Sequence, residues 1–245
     1  MRHRWRLIVA GIVTLVIGLL VTFPARVAYR WFAPPQLKLA GISGSIWHGT
    51  ASQGSAGGIY LTDVAWHFKP LALLTGQLAF STRSNPVSGF LDADIAVGIG
   101  GRVTMSDVAG AVSLASLAAA FPLNGVEGDV TLRFEELVID GGFPVEATGT
   151  VGIANLISRY LSATTLGDYR AKLRTGDDGI SGTLEAVSGV LELDGTVRLM
   201  PDRNYQLLGE VAARPEAPAA IARQLEYLGS PNSRGRHEFR IEGQL

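Results

Sequence analysis

The chain has 245 residues, no cysteine and a formal net charge of −1 at pH 7. Without a thiol, cysteine catalysis, thiolate metal sites and disulfide staples are excluded. Five of the 21 basic residues fall in the first thirty positions, leaving 16 basic against 22 acidic beyond them, and the lysines are Lys38, Lys69 and Lys172 alone. The clustered basic charge that nucleic acid requires is missing, so nucleic acid is excluded as a partner.

In chain order, Arg2, Arg4 and Arg6 precede the uncharged apolar run Leu7–Phe23, "LIVAGIVTLVIGLLVTF". Seventeen apolar residues reach the short end of what spans a bilayer as a helix. Trp5 on one side and Tyr29 and Trp31 on the other stand where an aromatic belt would, with Arg26 and Arg30 placed to snorkel. Signal peptidase wants small residues at −1 and −3. Cutting after Ala25 puts Phe23 at −3, and cutting after Ala28 puts Arg26 there. An uncleaved signal anchor is expected, with its arginine-bearing end in the cytoplasm by the positive-inside rule. The division read from this is a cytoplasmic basic stub at 1–6, a transmembrane signal anchor at 7–25, a juxtamembrane linker at 26–36 and an exported domain at 37–245. An exported domain with no disulfide points to a bacterial periplasm.

Thirty of the 245 residues are glycine, spread among short apolar stretches rich in Val, Leu and Ile. "GDVTLRFEELVIDGG" alternates at Val130, Leu132 and Phe134, then changes phase at Glu135-Glu136, which predicts a bulge or turn. "ISGTLEAVSGVLELDGTVRLMPDRNYQLLGEV" reads as three or four strands, with turns near Ser188-Gly189, Asp194-Gly195 and Pro201-Asp202. "HEFRIEGQL" sets Phe239 and Ile241 against Glu238, Arg240 and Glu242, a strand with one covered and one wet face. Three short helices are expected: 113–121 after a Ser113 cap, "ANLISRYLSA" at 154–163, and "PEAPAAIARQLEYLG" at 215–229. The second gathers Ile153, Leu156, Ile157, Tyr160 and Leu161 on one face, and the third carries an Ala217, Ile221, Leu225, Leu228 stripe. The fold class is mostly β: a single transmembrane helix, then a meandering antiparallel sheet, elongated or curled, with a few short helices.

Chemistry is poorly supplied. The histidines are His3, His48, His67 and His237, and no two have the HExxH spacing of a zinc helix. His48 and His67, each following a tryptophan, are spaced to meet across neighbouring strands, but no fixed carboxylate accompanies them. There is no G-x-S-x-G elbow. Asp177-Asp178 before Gly179 and Asp92 with Asp94 read as turn residues, and "GIGG" at 98–101 lacks the context of a phosphate loop. No catalytic residue, cofactor or metal is expected, and the protein is not expected to be an enzyme. Trp47 and Trp66 read as large apolar anchors with one N–H each to satisfy.

The stretches "FPARVAYRWF", "GISGSIWHGTA" and "LTDVAWHFKPLALLTGQL" follow the anchor in an order that resembles the N-protein family of the bacterial type II secretion system (general secretion pathway protein N). The matching positions are Pro24, Ala25, Gly41, Gly44, Trp47, Gly49, Leu61, Trp66, Pro70, Leu73 and Gly76. Near the end, "LEYLGSPNSRGRHEFRIEGQL" matches at Leu225, Leu228, Gly229, Pro231, Gly235 and Arg236. His48, His67 and Asn232 depart from the pattern, which weakens a catalytic role for the histidines. The resemblance implies an accessory inner-membrane component with other secretion-system proteins as partners and membrane lipid around its anchor. Trp47, Trp66, Gly44, Gly49, Pro70, Gly229 and Gly235 are the candidate partner-contact or structural positions. The repeated hairpins on an anchor also resemble AsmA-like periplasmic proteins, which implies the alternative of lipid handling in an apolar groove.

Overall fold

The computed structural model describes residues 2–33, 35, 37–56, 58–86, 88–98, 100–117, 125–159 and 162–244. Two helices come first, α1 (Arg2–Val21) and α2 (Ala25–Phe32), separated by Pro24, which cannot continue a helix ladder. The strands β1 (Leu37–Ala40), β2 (Ser43–Gly44), β3 (His48–Ala56) and β4 (Ile59–Phe68) follow, then a 3-10 turn at Pro70–Thr75. Next are β5 (Gln77–Pro86), β6 (Gly89–Gly98), β7 (Val103–Ser113), the one-turn helix α3 (Leu114–Leu117), β8 (Val126–Asp140) and β9 (Phe143–Ser158). The chain closes with β10 (Ser162–Gly176), β11 (Gly179–Gly189), β12 (Leu191–Leu199), β13 (Asn204–Ala213), α4 (Ala219–Leu225) and β14 (His237–Gln244).

Among the described residues fourteen strands lie in one open antiparallel sheet; from β3 onward each pairs with the next in sequence, and β1 and β2 both pair with β3. Sequential pairing follows from the turn chemistry. Gly141-Gly142, both at positive φ, close the β8–β9 hairpin between Asp140 and Phe143, the two-residue loop whose twist suits paired strands. Asp177-Asp178 close the β10–β11 hairpin between Gly176 and Gly179. Those two aspartates are turn residues, whereas Asp92 and Asp94, also read as turn residues, lie inside β6 opposite Ala109 and Ser106 of β7. The phase change at Glu135-Glu136 is a register shift between Phe134 and Glu136 in the β8–β9 ladder.

A single layer cannot bury one central core, and among the described residues the packed buried apolar side chains form three separate clusters, with others such as Val108, Val138 and Ile180 outside them. The accessible surface is 15623 Å², against ~10,500 Å² for a compact globule of this mass. The excess is that of an open layer rather than a compact globule. α3 also touches β4, several strands away from its neighbours β7 and β8, so the sheet curls on itself without closing.

Three expectations are corrected. Residues 154–163 are not a helix: Ile153, Leu156 and Ile157 belong to β9, and β10 has begun by Ser162, while Tyr160 and Leu161 lie outside the described residues. Asn155 takes φ 53°, and the β9–β10 register slips around it. That irregularity puts Ile153 and Leu156 against the same cluster, giving a strand the i, i+3 spacing of a helix. Asp194-Gly195 is not a turn but the middle of β12, paired with Glu210 and Gly209 of β13. A Cβ on Gly195 would come 2.8 Å from the Leu208 carbonyl, so this glycine serves close approach. The third helix is shorter than read: α4 spans Ala219–Leu225, and Glu226–Leu228 continue as a 3-10 turn. The helix at 113–121 is seen as α3, and residues 118–121 lie outside the described residues. The stretch 26–36 carries α2 over most of its length.

The β9 irregularity has a polar pin. Asp168 accepts the Asn155 backbone N–H at 2.9 Å and the Ser188 hydroxyl at 2.7 Å. The Asn155 bond first and Ser188 second hold its carboxyl below the ordinary carboxylate value, against a small desolvation effect. A folded-state value below the unfolded one, about 3.9, contributes stability that is complete above that value and lost as pH falls through the folded one. Acid unfolding of the wild type is therefore expected to steepen below about pH 4, and Asp168→Asn, which keeps the shape without the titration, flattens that limb in a circular-dichroism titration. Asp168→Ala costs about 1 kcal/mol at neutral pH.

Candidate interaction surface

The residues from Gly41 to Gly49 form a corner where α1, α2 and the sheet meet. Ser45 bridges to Pro24, and the Ile46 N–H donates to the Phe23 carbonyl at 3.1 Å. The Ser45 hydroxyl, buried with its residue, accepts from the Trp47 and His48 N–H groups at 3.3 Å each. This knot aims the Trp47 indole back along the chain, where its N–H donates to the Leu20 carbonyl in the last turn of α1 at 2.7 Å. The Leu20 carbonyl, which also accepts the Phe23 N–H at 3.3 Å, thus has a second donor at the helix end. The Trp47 ring meets Phe68 edge-on at 4.8 Å, and Phe68 stacks toward Phe80 at 5.4 Å. Aromatic pairs of this geometry stabilise beyond their buried area.

Trp66 does different work on the same corner. It is the cross-strand partner of Gly49, and its indole lies where a Gly49 side chain would be, with a built Cβ 2.4 Å from Cζ2. Trp66 also packs on the cluster of Ala25, Ile42 and Ala51. Gly44 sits at φ 87° in β2, opposite Gly49, where a Cβ would lie 2.6 Å from the His48 carbonyl. His48 and His67 are direct cross-strand partners, as the spacing suggested, and both are exposed. Among the described residues no group of three or more His, Asp or Glu side chains could hold a metal ion. Pro70 opens the 3-10 turn immediately beyond β4, pre-setting its first φ.

α2 covers the near edge of the sheet. Its Tyr29 hydroxyl donates to the Leu37 carbonyl at 3.2 Å and accepts the Leu39 N–H at 2.9 Å, and Arg26 donates to the Ile42 carbonyl at 2.5 Å. Bare edge groups of β1 are thus occupied, a standard protection of a terminal strand. The opposite edge, β14, pairs only with β13.

Gly229 and Gly235 belong to that far edge, away from the corner, so the sequence-picked positions split into two groups. Gly229 ends the 3-10 turn after α4, and its carbonyl lies 2.7 Å from His237 Nδ1. Gly235, at φ 75°, lies in a loop tied by Asn232, whose side-chain oxygen accepts the Arg234 and Arg236 N–H groups at 2.9 and 3.1 Å. Asn232 also donates to Glu210 at 3.0 Å. The loop delivers Arg236 to Glu192 at 2.5 Å, Asp194 at 2.6 Å and Glu210 at 3.8 Å. The Asp194 hydrogen bond first, with burial opposing and the three negative charges adding, raises the guanidinium value further. Reading the sequence missed this network because the acids that Arg236 meets lie 26 to 44 positions before it. Arg236→Ala is expected to lower the unfolding midpoint more at low salt than at high salt, since it leaves like charges facing one another, and Arg236→Lys to recover part of the loss. Thermal melts across a salt series check both.

A cleft of about 660 Å³ beside this edge is lined by Asp194, Glu210, Arg234, Glu238 and Arg240 together with Leu208 and Phe239. A second of the same size, at the β10–β11 and β12–β13 turns, is lined by Asp177, Asp178, Arg198 and Asp202 with Ile180 and Met200. These walls are charged as well as apolar, unlike a lipid groove.

An aromatic corner at one edge and a charged strand, paired on one side only, at the other define an open single-sheet β protein. The chain belongs to the type II secretion system protein N family, whose model matches residues 35–240. It is 27% identical to the type II secretion system protein N of Aeromonas hydrophila over 245 aligned positions, covering 93% of each chain. It is 26% identical to the protein of the same name from Vibrio cholerae serotype O1, covering 94% of each chain. No solved structure matches it.

Proposed function

We propose that this protein is an accessory, non-enzymatic subunit of the type II secretion system, held in the inner membrane by α1 and acting through protein–protein contacts in the periplasm. The observation that carries the reading is the family match over residues 35–240. The anchor rests on the sequence run Leu7–Phe23 and on Ile12, Val13, Leu15, Val16, Leu19, Leu20 and Val21 of α1, all solvent-exposed apolar side chains. Among the described residues no helix is long and apolar enough to cross a membrane, and the side chains of residues 6–10 and 17 of α1 lie outside them. For the contact, β14 offers an eight-residue strand with its outer N–H and C=O groups unpaired by the sheet, the template used in strand addition.

The test is deletion of the gene, followed by measurement of secreted hydrolases outside the cell and in the periplasm. Periplasmic retention, restored by the wild-type copy, supports the reading; export unchanged across several substrates counts against it. Photo-crosslinking from Glu238, Arg240 and Glu242 then names the neighbour of the edge.

A further inference from the structure

The 3-10 turn at Pro70–Thr75 turns its leucines outward: Leu71, Leu73 and Leu74 are 78%, 51% and 86% exposed. Single exposed leucines need no account, but these continue into Leu78 of β5 and its cross-strand partner Val97 of β6, also exposed. From Pro70 to Phe80 no residue carries a charge. Lys69, just before the turn, is paired with Asp94 on β6. An exposed apolar strip of this kind marks a surface that is covered in use.

Its position selects the cover. Phe68, two residues before Pro70, packs on Trp47, and the Trp47 indole bonds to Leu20 at the carboxyl end of α1. Trp31, whose ring lies 6.1 Å from Phe23 just after α1, is also exposed. The apolar strip and the aromatic pair therefore stand at the end of the sheet where the anchor joins it, and a bilayer that holds α1 presents its interface there. We propose that the Leu71–Leu74 turn, with Leu78 and Val97, is a lip that seats the sheet on the lipid surface, a second membrane contact that fixes the sheet's tilt relative to the anchor. The proposal rests on the anchored reading above. Leucines entering the headgroup–acyl boundary recover the burial that water denies them, and the aromatic rings suit the same depth.

The absence of cysteine makes the test direct. Full-length Leu74→Cys, labelled with an environment-sensitive fluorophore and reconstituted in phosphatidylethanolamine–phosphatidylglycerol vesicles, should show blue-shifted emission that is quenched by lipids brominated on their acyl chains. The same label at Tyr227, 91% exposed in the turn after α4 at the opposite end of the sheet, should report water and escape quenching. Emission at position 74 matching that at 227 overturns the lip, and so does a blue shift that brominated lipid leaves unquenched, because a protein partner is then the cover. Alkaline carbonate extraction of the unlabelled chain decides the anchor separately. Retention in the pellet with a wet label at 74 sinks the lip alone, while release into the supernatant sinks the anchored reading.

Discussion

Ile221→Ala is expected to lower the stability of the sheet by about 2–5 kcal/mol, and the unfolding midpoint by on the order of 10 °C. Ile221 is fully buried, and it meets Leu166, Tyr169, Leu191, Val211 and Leu225 in the cluster that spans β10, β12 and β13. α4 has only seven residues, and Pro218 at its N-cap supplies no side-chain hydrogen bond. So short a helix does not persist alone in water. What holds it is the burial of Ile221 and Leu225, and the same burial keeps water from the strands beneath. Truncation leaves a cavity that a single sheet, with one layer above it, collapses into only partly. Ile221→Val should cost about 0.5–1.5 kcal/mol, and Tyr227→Ala, one turn on and exposed, should stay within about 0.5 kcal/mol. A thermal melt followed by circular dichroism orders the three. An Ile221→Ala midpoint equal to wild type would show that α4 is not a structural cover.

The covering role of α4 bears on the lipid-handling alternative. A helix that buries its stripe against one face of β10–β13 uses the apolar surface that a lipid chain would need there. The clefts at the turns and along β14 are bordered by Asp, Glu and Arg side chains, and desolvating those beside an acyl chain is costly. Both points favour protein contacts over a lipid groove at that end of the sheet. Apolar side chains are bare at both ends, as Tyr227, Leu228 and Ile241 here and as the Leu71–Leu74 turn beside α1 at the other.

How much of this was legible before the structure depends on the range of the interaction. Strands whose pattern is local, such as "HEFRIEGQL" and "GDVTLRFEELVIDGG", could be placed by alternation, although Ile241, expected beside Phe239 on a covered face, is exposed, and even the slip at Glu135-Glu136 showed as a change of phase. Of the predicted stripe at the third helix, Ile221 and Leu225 are buried in α4 as read, while Ala217 lies before it and Leu228 after it is exposed. Residues 154–163 misled because a bulge at Asn155 copies helical spacing, and what stabilises the bulge is Asp168, thirteen residues away on the next strand. Asp194-Gly195 misled because the dipeptide has the chemistry of a turn, while Gly195 is used where the Leu208 backbone comes close. The corner was half visible: two Trp-His pairs about twenty residues apart implied adjacent strands, and His48 does face His67. That one tryptophan would reach back to Leu20 and the other lie on a glycine could not be read from spacing, because the first depends on the Ser45 knot that turns the chain toward α1 and the second on the register of β3 against β4.

That register gives the second large effect. Gly49→Ala places a Cβ 2.4 Å from Trp66 Cζ2 and 2.7 Å from the Ser43 carbonyl, distances that real packing does not tolerate, so the indole must swing or β2 must lift from β3. Overpacking of this kind costs about 1–3 kcal/mol. Moving Trp66 also loosens the cluster of Ala25, Ile42 and Ala51 that fastens α2 to the sheet, so the cost should appear as faster proteolysis around residues 24–45 before the rest of the sheet opens. The two contacts can be separated with a double-mutant cycle, because the residues touch and should not be additive. Trp66→Leu alone loses packing; combined with Gly49→Ala it should cost less than the sum of the two, since the smaller side chain leaves room for the methyl. Full additivity in thermal melts would place the strain on the Ser43 carbonyl alone and make Trp66 a bystander. Marked non-additivity would mean that the glycine at 49 is there to accommodate the tryptophan at 66.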